Sequence, residues 1–551
     1  MISRLLPLSG EPKKRKLVGF DTEDNSQGRP LQLVFVDAGG SMRFEHPRDA
    51  LGWLATRKVK LKTIVCATQL EYDIVNLVKE GGIEHLHLGY SAGASKLVWA
   101  RVLKTRLAML DTLNYVPLGV AKLGDSIGLP KLDFAPNDPE YCIRDATIVY
   151  QFMGKLQDEL NDLGGELKYT AGGTALDLWR RKFQPFVIEP TDPAMLDWLQ
   201  TVNYGGRVEV FTRAKVHGRI IYDDVNSLYP FVLASYDYPN PNTLTRRVPE
   251  LHELGVIDCT VRVPADCYLP VLPCRAKLES GAKLIFPVGT FRGKWTTAEL
   301  QYAVHMGAAS IERVHGGVAY EDRGSYFSEY VRTLYPLRPR DGSPRDFAIK
   351  LLLNALFGKF GQRNITTEMV RLEDAKNPCG RRVFQGYVFE DVIGEYPPHA
   401  CQIWAGWTLA RARVHLHWLM SLVLQRGGEL HYCDTDSIIY SGCDPLPTGD
   451  QLGDLKRVGI FNQGEFIAPK IYALRSPQGD KIVSKGVPVG SAESFIERGM
   501  AEWLAPLRLR EGGDRANVWT RHERRRLSAY DKRLVTADGR TRPLTVKGDA
   551  P

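Results

Sequence analysis

The chain predicts an α/β architecture divided into several domains, and three observations carry that prediction. Apolar, β-branched runs end in acids at three places: Leu17-Val-Gly-Phe-Asp21-Thr-Glu23, Arg219-Ile-Ile-Tyr-Asp223-Asp224 and His431-Tyr-Cys-Asp434-Thr-Asp436-Ser-Ile-Ile-Tyr440. Such runs favour strands. Between the last two, Lys350, Asn354, Phe357 and Gly361 recur with helical period and share one face. A chain of 551 residues, 44% of them hydrophobic, is long enough to bury more than one core.

Taken in order, the first strand places Asp21 and Glu23 on one face by two-residue alternation. Tyr72-Asp73 opens a predicted helix, and Tyr141 and Asp145 stand one helical turn apart in another. If Asp21, Glu23, Asp73 and Asp145 converge, they form a two-metal arrangement for water attacking a phosphodiester. Asp73 or Asp145 alone also fits an exposed helix acid. In the second set, Asp224 at a strand end can share metals with Asp434 or Asp436 on a neighbouring strand, and two Mg²⁺ ions about 4 Å apart can clamp attacking and leaving oxygens. Mg²⁺ takes few carboxylates and leaves room for waters and phosphates, so the aspartates fit and the histidines and cysteines do not. The helical face adds a cation for a triphosphate, an amide, a flat ring for a base pair and a glycine for close approach. Without the flanking acids, the same face reads as an amphipathic core helix with a solvated lysine.

Three segments, Asp224-Val-Asn-Ser-Leu-Tyr229-Pro230, Lys350 to Gly361 and Tyr432-Cys-Asp434-Thr-Asp436-Ser437, resemble in this order the A, B and C motifs of family B DNA polymerases. The resemblance implies a right-hand polymerase of palm, fingers and thumb. Asp224 and Asp436 become the main metal ligands, with Asp434 and Val225 counted beside them. Lys350, Asn354 and Phe357 become nucleotide-binding, and Tyr229 lies under the sugar and selects deoxynucleotides; Arg338 and Arg340, which lead into the helix of Lys350, are further candidates for the triphosphate. Ala355 and Phe357 replace the family's usual Ser and Tyr, which bears on nucleotide affinity and fidelity more than on activity.

The amino-terminal acids, with Tyr141, resemble the 3′–5′ proofreading exonuclease of the same family, which has an RNase H-like fold. Thr112-Leu113 resembles its segment for the single-stranded primer end, and Lys131 to Phe134 its Lys-x-x-hydrophobic segment. Gln69 stands where an Asn usually precedes the middle acid. Tyr204-Gly205-Gly206-Arg207 resembles the family's Tyr-x-Gly-Gly linker, with Arg207 read as a charge for a DNA phosphate. Lys470-Ile-Tyr472, followed by Lys485, resembles a primer and template contact. Thr170 to Thr174 resembles a stretch of the protein-primed polymerases of phages and linear mobile elements, and the short chain points the same way. That branch implies a terminal protein as primer for a linear phage, plasmid or mobile-element genome. The residues leave open a polymerase extending ordinary nucleic-acid primers, a nuclease whose polymerase half only positions substrate, and a non-catalytic polymerase-derived DNA-binding scaffold.

The expected domains are residues 1–165 for the exonuclease, 166–234 for a linker and first part of the palm, and 235–334 for an insertion that docks the terminal protein. Residues 335–400 hold the fingers and a second insertion, 401–474 the rest of the palm, and 475–551 the thumb. Two Mg²⁺ per site, with Mn²⁺ as substitute, template and primer DNA, and deoxynucleoside triphosphates are the expected cofactors and partners of a monomer. A net charge of +8 suits a nucleic acid. So do clusters at residues 13–16, 180–182 and 521–526, although any one of them also fits a solvated helix face. Nine cysteines, including the widely spaced Cys259, Cys267 and Cys274, lack zinc spacing, and His85/His87 and His415/His417 read as structural pairs. No apolar run nears the roughly 20 residues of a membrane span, and the first residues are too short for a secretory signal, so a cytoplasmic chain is expected.

Overall fold

The computed structural model describes residues 3–547 apart from 26–29, 57–61, 92–95, 136, 280, 377, 507–519 and 529. Its amino-terminal part is a mixed sheet. The strand Lys16–Asp24 lies between Thr63–Ala67, which runs parallel to it, and Pro30–Asp37, which runs antiparallel. The long helix Pro139–Asp162 starts at Asp138, whose side chain accepts from the Glu140 amide (3.0 Å), with Pro139 in the first turn. It packs against the Lys16–Asp24 strand. A side chain at Gly19 would run into the Ala146 carbonyl, so glycine is what lets the helix carrying Asp145 lie directly on the strand carrying Asp21.

At its other edge this sheet takes in three strands from far along the chain. Thr367 in Ile365–Arg371 pairs with Tyr90, and Tyr387–Ile393 and then Pro378–Phe384 follow outward. Met369 and Phe389 are buried in the amino-terminal core with Leu88. Met369, Val388 and Phe389 are buried apolar residues of these strands, which follow the helix Pro344–Phe360 in the chain. That helix is capped by Ser343, which accepts from the Asp346 amide (3.3 Å). It packs on the helices Ala171–Lys182 and Pro139–Asp162, with Gly172 facing the Ala355 carbonyl.

The central sheet has seven strands, all paired antiparallel, in the order Lys481–Ser484, Ile471–Arg475, Leu455–Ala468, Lys215–Val225, Ser437–Ser441, Glu429–Asp434 and Val208–Val210. Segments far apart in sequence thereby place Asp224, Asp434 and Asp436 on adjacent strand ends. The helix Gln402–Gln425 covers one face, with Leu416 and Met420 against Ile221 and Ile438. Residues 254–320 form a second sheet with a core of its own, built on Ile257, Phe291 and Trp295.

The tail divides. The helix Val489–Arg498 packs on the hairpin Met500–Pro506 with Thr520–Arg526; within that hairpin the side chain of Arg521 lies outside the described residues. From Tyr530 the chain returns to the palm. Thr541 donates to the Phe211 carbonyl (2.9 Å), and Thr545–Lys547 adds a parallel strand beside Val288–Thr290.

Candidate active sites

In the amino-terminal site, carboxylate oxygens of Asp21, Glu23 and Asp145 all lie within 4.8 Å of one another. Asp73, in the first turn of the helix Leu70–Val78, accepts from Thr22 Oγ1 (2.8 Å), and its other oxygen is buried without a hydrogen-bond partner, as is one oxygen of Asp145. Burial first, and then Asp145, pushes Glu23 up to about 7. Burial and the neighbouring acids hold Asp21 and Asp73 well above the usual carboxylate range. Crowded hard oxygens with orphaned lone pairs fit divalent cations such as Mg²⁺ or Mn²⁺. Lys131 makes an ion pair with Asp145 and stands 4.6 Å over the Tyr141 ring. Sequence reading missed Cys142, whose thiol donates to Asp21 Oδ2 (3.3 Å), because a cysteine one residue past Tyr141 carries no pattern.

In the central site, the Val225 amide donates to the Asp436 carbonyl (2.8 Å) and Asp224 sits opposite Ser437 across the strand pair. Burial, then Asp224, pushes Asp436 up to about 7. Burial also raises Asp224, against Lys481 and Lys456. Asp434 is held by Lys470 Nζ (2.8 Å to each oxygen), by the Tyr432 hydroxyl (3.1 Å) and by Thr435 Oγ1 (3.1 Å). Asp224 and Asp436 are therefore the less encumbered pair for a metal. The Val225 side chain is buried, which leaves only its backbone as a donor. Alternation separates Asp223 from Asp224: Asp223 is buried, bound by Arg457 and the Tyr440 hydroxyl.

On the helix Pro344–Phe360, Lys350 and Asn354 are exposed and Phe357 is half-buried, its ring 4.2 Å from that of Tyr229. A Cβ at Gly361 would lie 2.9 Å from that of Ala405, so this glycine serves helix packing. Arg338 is tied to Asp346 (2.6 Å), bracing the start of this helix.

The other predicted contact residues have these surroundings. Arg207 is 1% exposed, its guanidinium bound to Glu209 (2.6 Å) and the Pro270 carbonyl (2.7 Å), so it faces no phosphate. Gly206 serves the interior too, since a Cβ there would lie 2.7 Å from Thr435 Oγ1, while Gly205 holds a left-handed φ of 96°. Tyr204 lies between Arg275 and Arg413. Tyr472 is buried, with its hydroxyl toward that of Tyr222 (3.5 Å), and Thr112 is buried, with its hydroxyl 2.9 Å from that of Thr68. Each of these polar groups has an internal partner that packing alone reveals. Leu113 is half-buried and Lys485 exposed. Lys532 lies close enough to Asp434 to feel its charge; no motif marked it. Among the described residues no helix is long and apolar enough to cross a membrane.

A family model described as DNA polymerase type B, organellar and viral, matches residues 126–389. Proteins named "Probable DNA polymerase" are similar to this chain. That of Ascobolus immersus is 28% identical over 300 residues, covering 49% of this chain and 23% of that protein. That of Neurospora intermedia is 24% identical over 372 residues, covering 60% and 37%. The matches thus span well under half the length of those relatives. The solved structure of Phi29 DNA polymerase complexed with primer-template DNA and incoming nucleotides aligns with a TM-score of 0.74 at 15% identity, covering 94% of this chain and 100% of that one. An orthorhombic crystal form gives 0.73. The two chains share a fold, and the resemblance to family B polymerases read from the motifs stands in these matches.

Proposed function

We propose, from the type B polymerase match and the Phi29 fold, that this chain is a template-directed DNA polymerase with a 3′–5′ proofreading exonuclease, and that it starts synthesis on a terminal protein. The observation that carries the polymerase reading is that Asp224, paired with Ser437, and Asp436, in the turn just before it, are brought together by the Val225 to Asp436 hydrogen bond, in a chain that also presents Lys350 on an exposed helix face.

Metal ions at Asp224 and Asp436 would supply charge stabilisation at the attacking and leaving oxygens. The chain's own groups do the rest. Lys350 meets the triphosphate as a point charge, Asn354 lies a turn away from it, and Tyr229 with the tilted ring of Phe357 forms a floor under sugar and base. In the amino-terminal site Lys131 orients Asp145, and Asp21, Glu23, Asp73 and Asp145 hold the cations for hydrolysis of a frayed 3′ end. Residues 1–165 with the strands of 365–393 form the exonuclease domain. The palm is 208–234 with 401–475, the insertion 235–334, and the thumb 489–526. DNA runs past Lys470 and Lys485, and the terminal protein docks on the insertion.

The test is a primer-extension gel with Mg²⁺ and deoxynucleotides. Lengthened primers support the polymerase, primers that only shorten support a nuclease, and unchanged primers a scaffold. Transfer of a labelled nucleotide onto a partner protein separates protein priming from extension of ordinary primers.

A further inference from the structure

The carboxyl-terminal return, Tyr530 to Thr541, touches the palm through a buried charge network that no motif accounts for. Glu209 is fully buried between two equally buried arginines. Arg207 donates to it at 2.6 Å and Arg533 at 3.3 Å. Arg533 also donates to Thr541 Oγ1 (2.9 Å) and to the Tyr268 carbonyl (3.1 Å). Burial pushes Glu209 up, but the two arginines outweigh it and leave the carboxyl below its usual range. The Tyr530 hydroxyl accepts from the Val210 amide (3.0 Å) and donates to the Val210 carbonyl (3.2 Å).

Glu209 lies on the strand Val208–Val210, which pairs with Glu429–Asp434 so that Val208 stands opposite Asp434 and Glu209 opposite Cys433. The Arg207 carbonyl accepts the Thr435 amide (2.8 Å). Thr435 has φ 62°, a left-handed conformation that a β-branched residue holds only where its surroundings over-determine it. The strained residue between Asp434 and Asp436 is thus held by the Arg207 carbonyl, whose own residue is fixed by Glu209 and, through Glu209, by Arg533 more than three hundred residues away.

We propose that the carboxyl-terminal return is a brace for the polymerase turn, with Arg533 as a positioning residue that acts through Glu209 and Arg207 on Thr435. The brace reaches only one of the two acidic sites, because Asp21, Glu23 and Asp145 are held by other elements. This inference rests on the polymerase reading above.

The experiment compares the full chain with Arg533→Met, the milder Thr541→Val and the exposed control Arg542→Ala. It measures primer extension at saturating nucleotide, the Mg²⁺ needed for half-maximal extension, and 3′ trimming of single-stranded DNA. Small displacement of catalytic groups is costly, so Arg533→Met is expected to lose about tenfold or more in extension kcat and to need more Mg²⁺, with nucleotide KM and trimming kept within about twofold. Thr541→Val moves the same way by less, and Arg542→Ala matches wild type. Trimming that falls in step with extension overturns the brace, as does a folded Arg533→Met that extends normally. Should Arg533→Met not fold, Thr541→Val decides by the same readouts. A wild type that extends no primer overturns the polymerase reading itself, so the two failures are distinct.

Discussion

The two acidic sites of this molecule are built in opposite ways. In the amino-terminal site the acids sit on regular elements, with Asp21 and Glu23 in a strand and Asp145 in a helix that Gly19 allows to lie on it. In the central site Asp434 and Asp436 flank a left-handed threonine at a turn, braced by the Gly206-Arg207 backbone. Each site ties one acid to a lysine, Lys131 on Asp145 and Lys470 on Asp434. A site preformed by secondary structure tolerates change around it, whereas a braced turn transmits distant changes to its acids.

The largest effect tests whether the sites are separate at all. Asp436→Ala is expected to reduce extension on the order of 10³-fold and spare trimming, and Asp21→Ala to do the reverse, both read on one gel. One substitution that removed both activities from a folded chain would break the comparison. Gly206→Ala comes next. Its Cβ would press on Thr435, and overpacking of roughly 1–3 kcal/mol should slow extension about tenfold while trimming keeps its rate. The lysines then sharpen the contrast: Lys131→Ala should lower trimming alone and Lys470→Ala extension alone, each by about tenfold, measured as single-turnover rates.

The smallest effect is acid sensitivity of the palm. Burial pushes His417 and His431 down to about 4. Unfolded histidines bind protons below about pH 6.5, so stability is lost as pH falls from there toward 4, and the loss then levels off. Thermal unfolding across that range should show a midpoint that drops with acid, and His417→Gln should flatten the drop.

The clustered acids were legible because metal chemistry demands fixed residue types at strand ends and helix turns, and Asp21, Glu23 and Asp145 do meet in space. The burial of Arg207, Thr112 and Tyr472 left no local signal, because a polar residue in a motif looks the same whether its partner is a phosphate or a buried neighbour. Lys532, Arg533 and Glu209 gave no local signal, since their meaning lies in contacts between distant segments.

By itself the sequence determined the α/β class, the strands that end in acids and the helical face carrying Lys350, because hydrophobic period and carboxylate spacing are local properties. Only the tertiary structure decided that the strands Ile365–Arg371 and Tyr387–Ile393 extend the amino-terminal sheet and that the tail returns to Phe211 and Thr212 beside the central sheet. Strand partners are chosen by which edge remains open and which apolar face remains uncovered once everything else has packed, and no single stretch of chain records that choice.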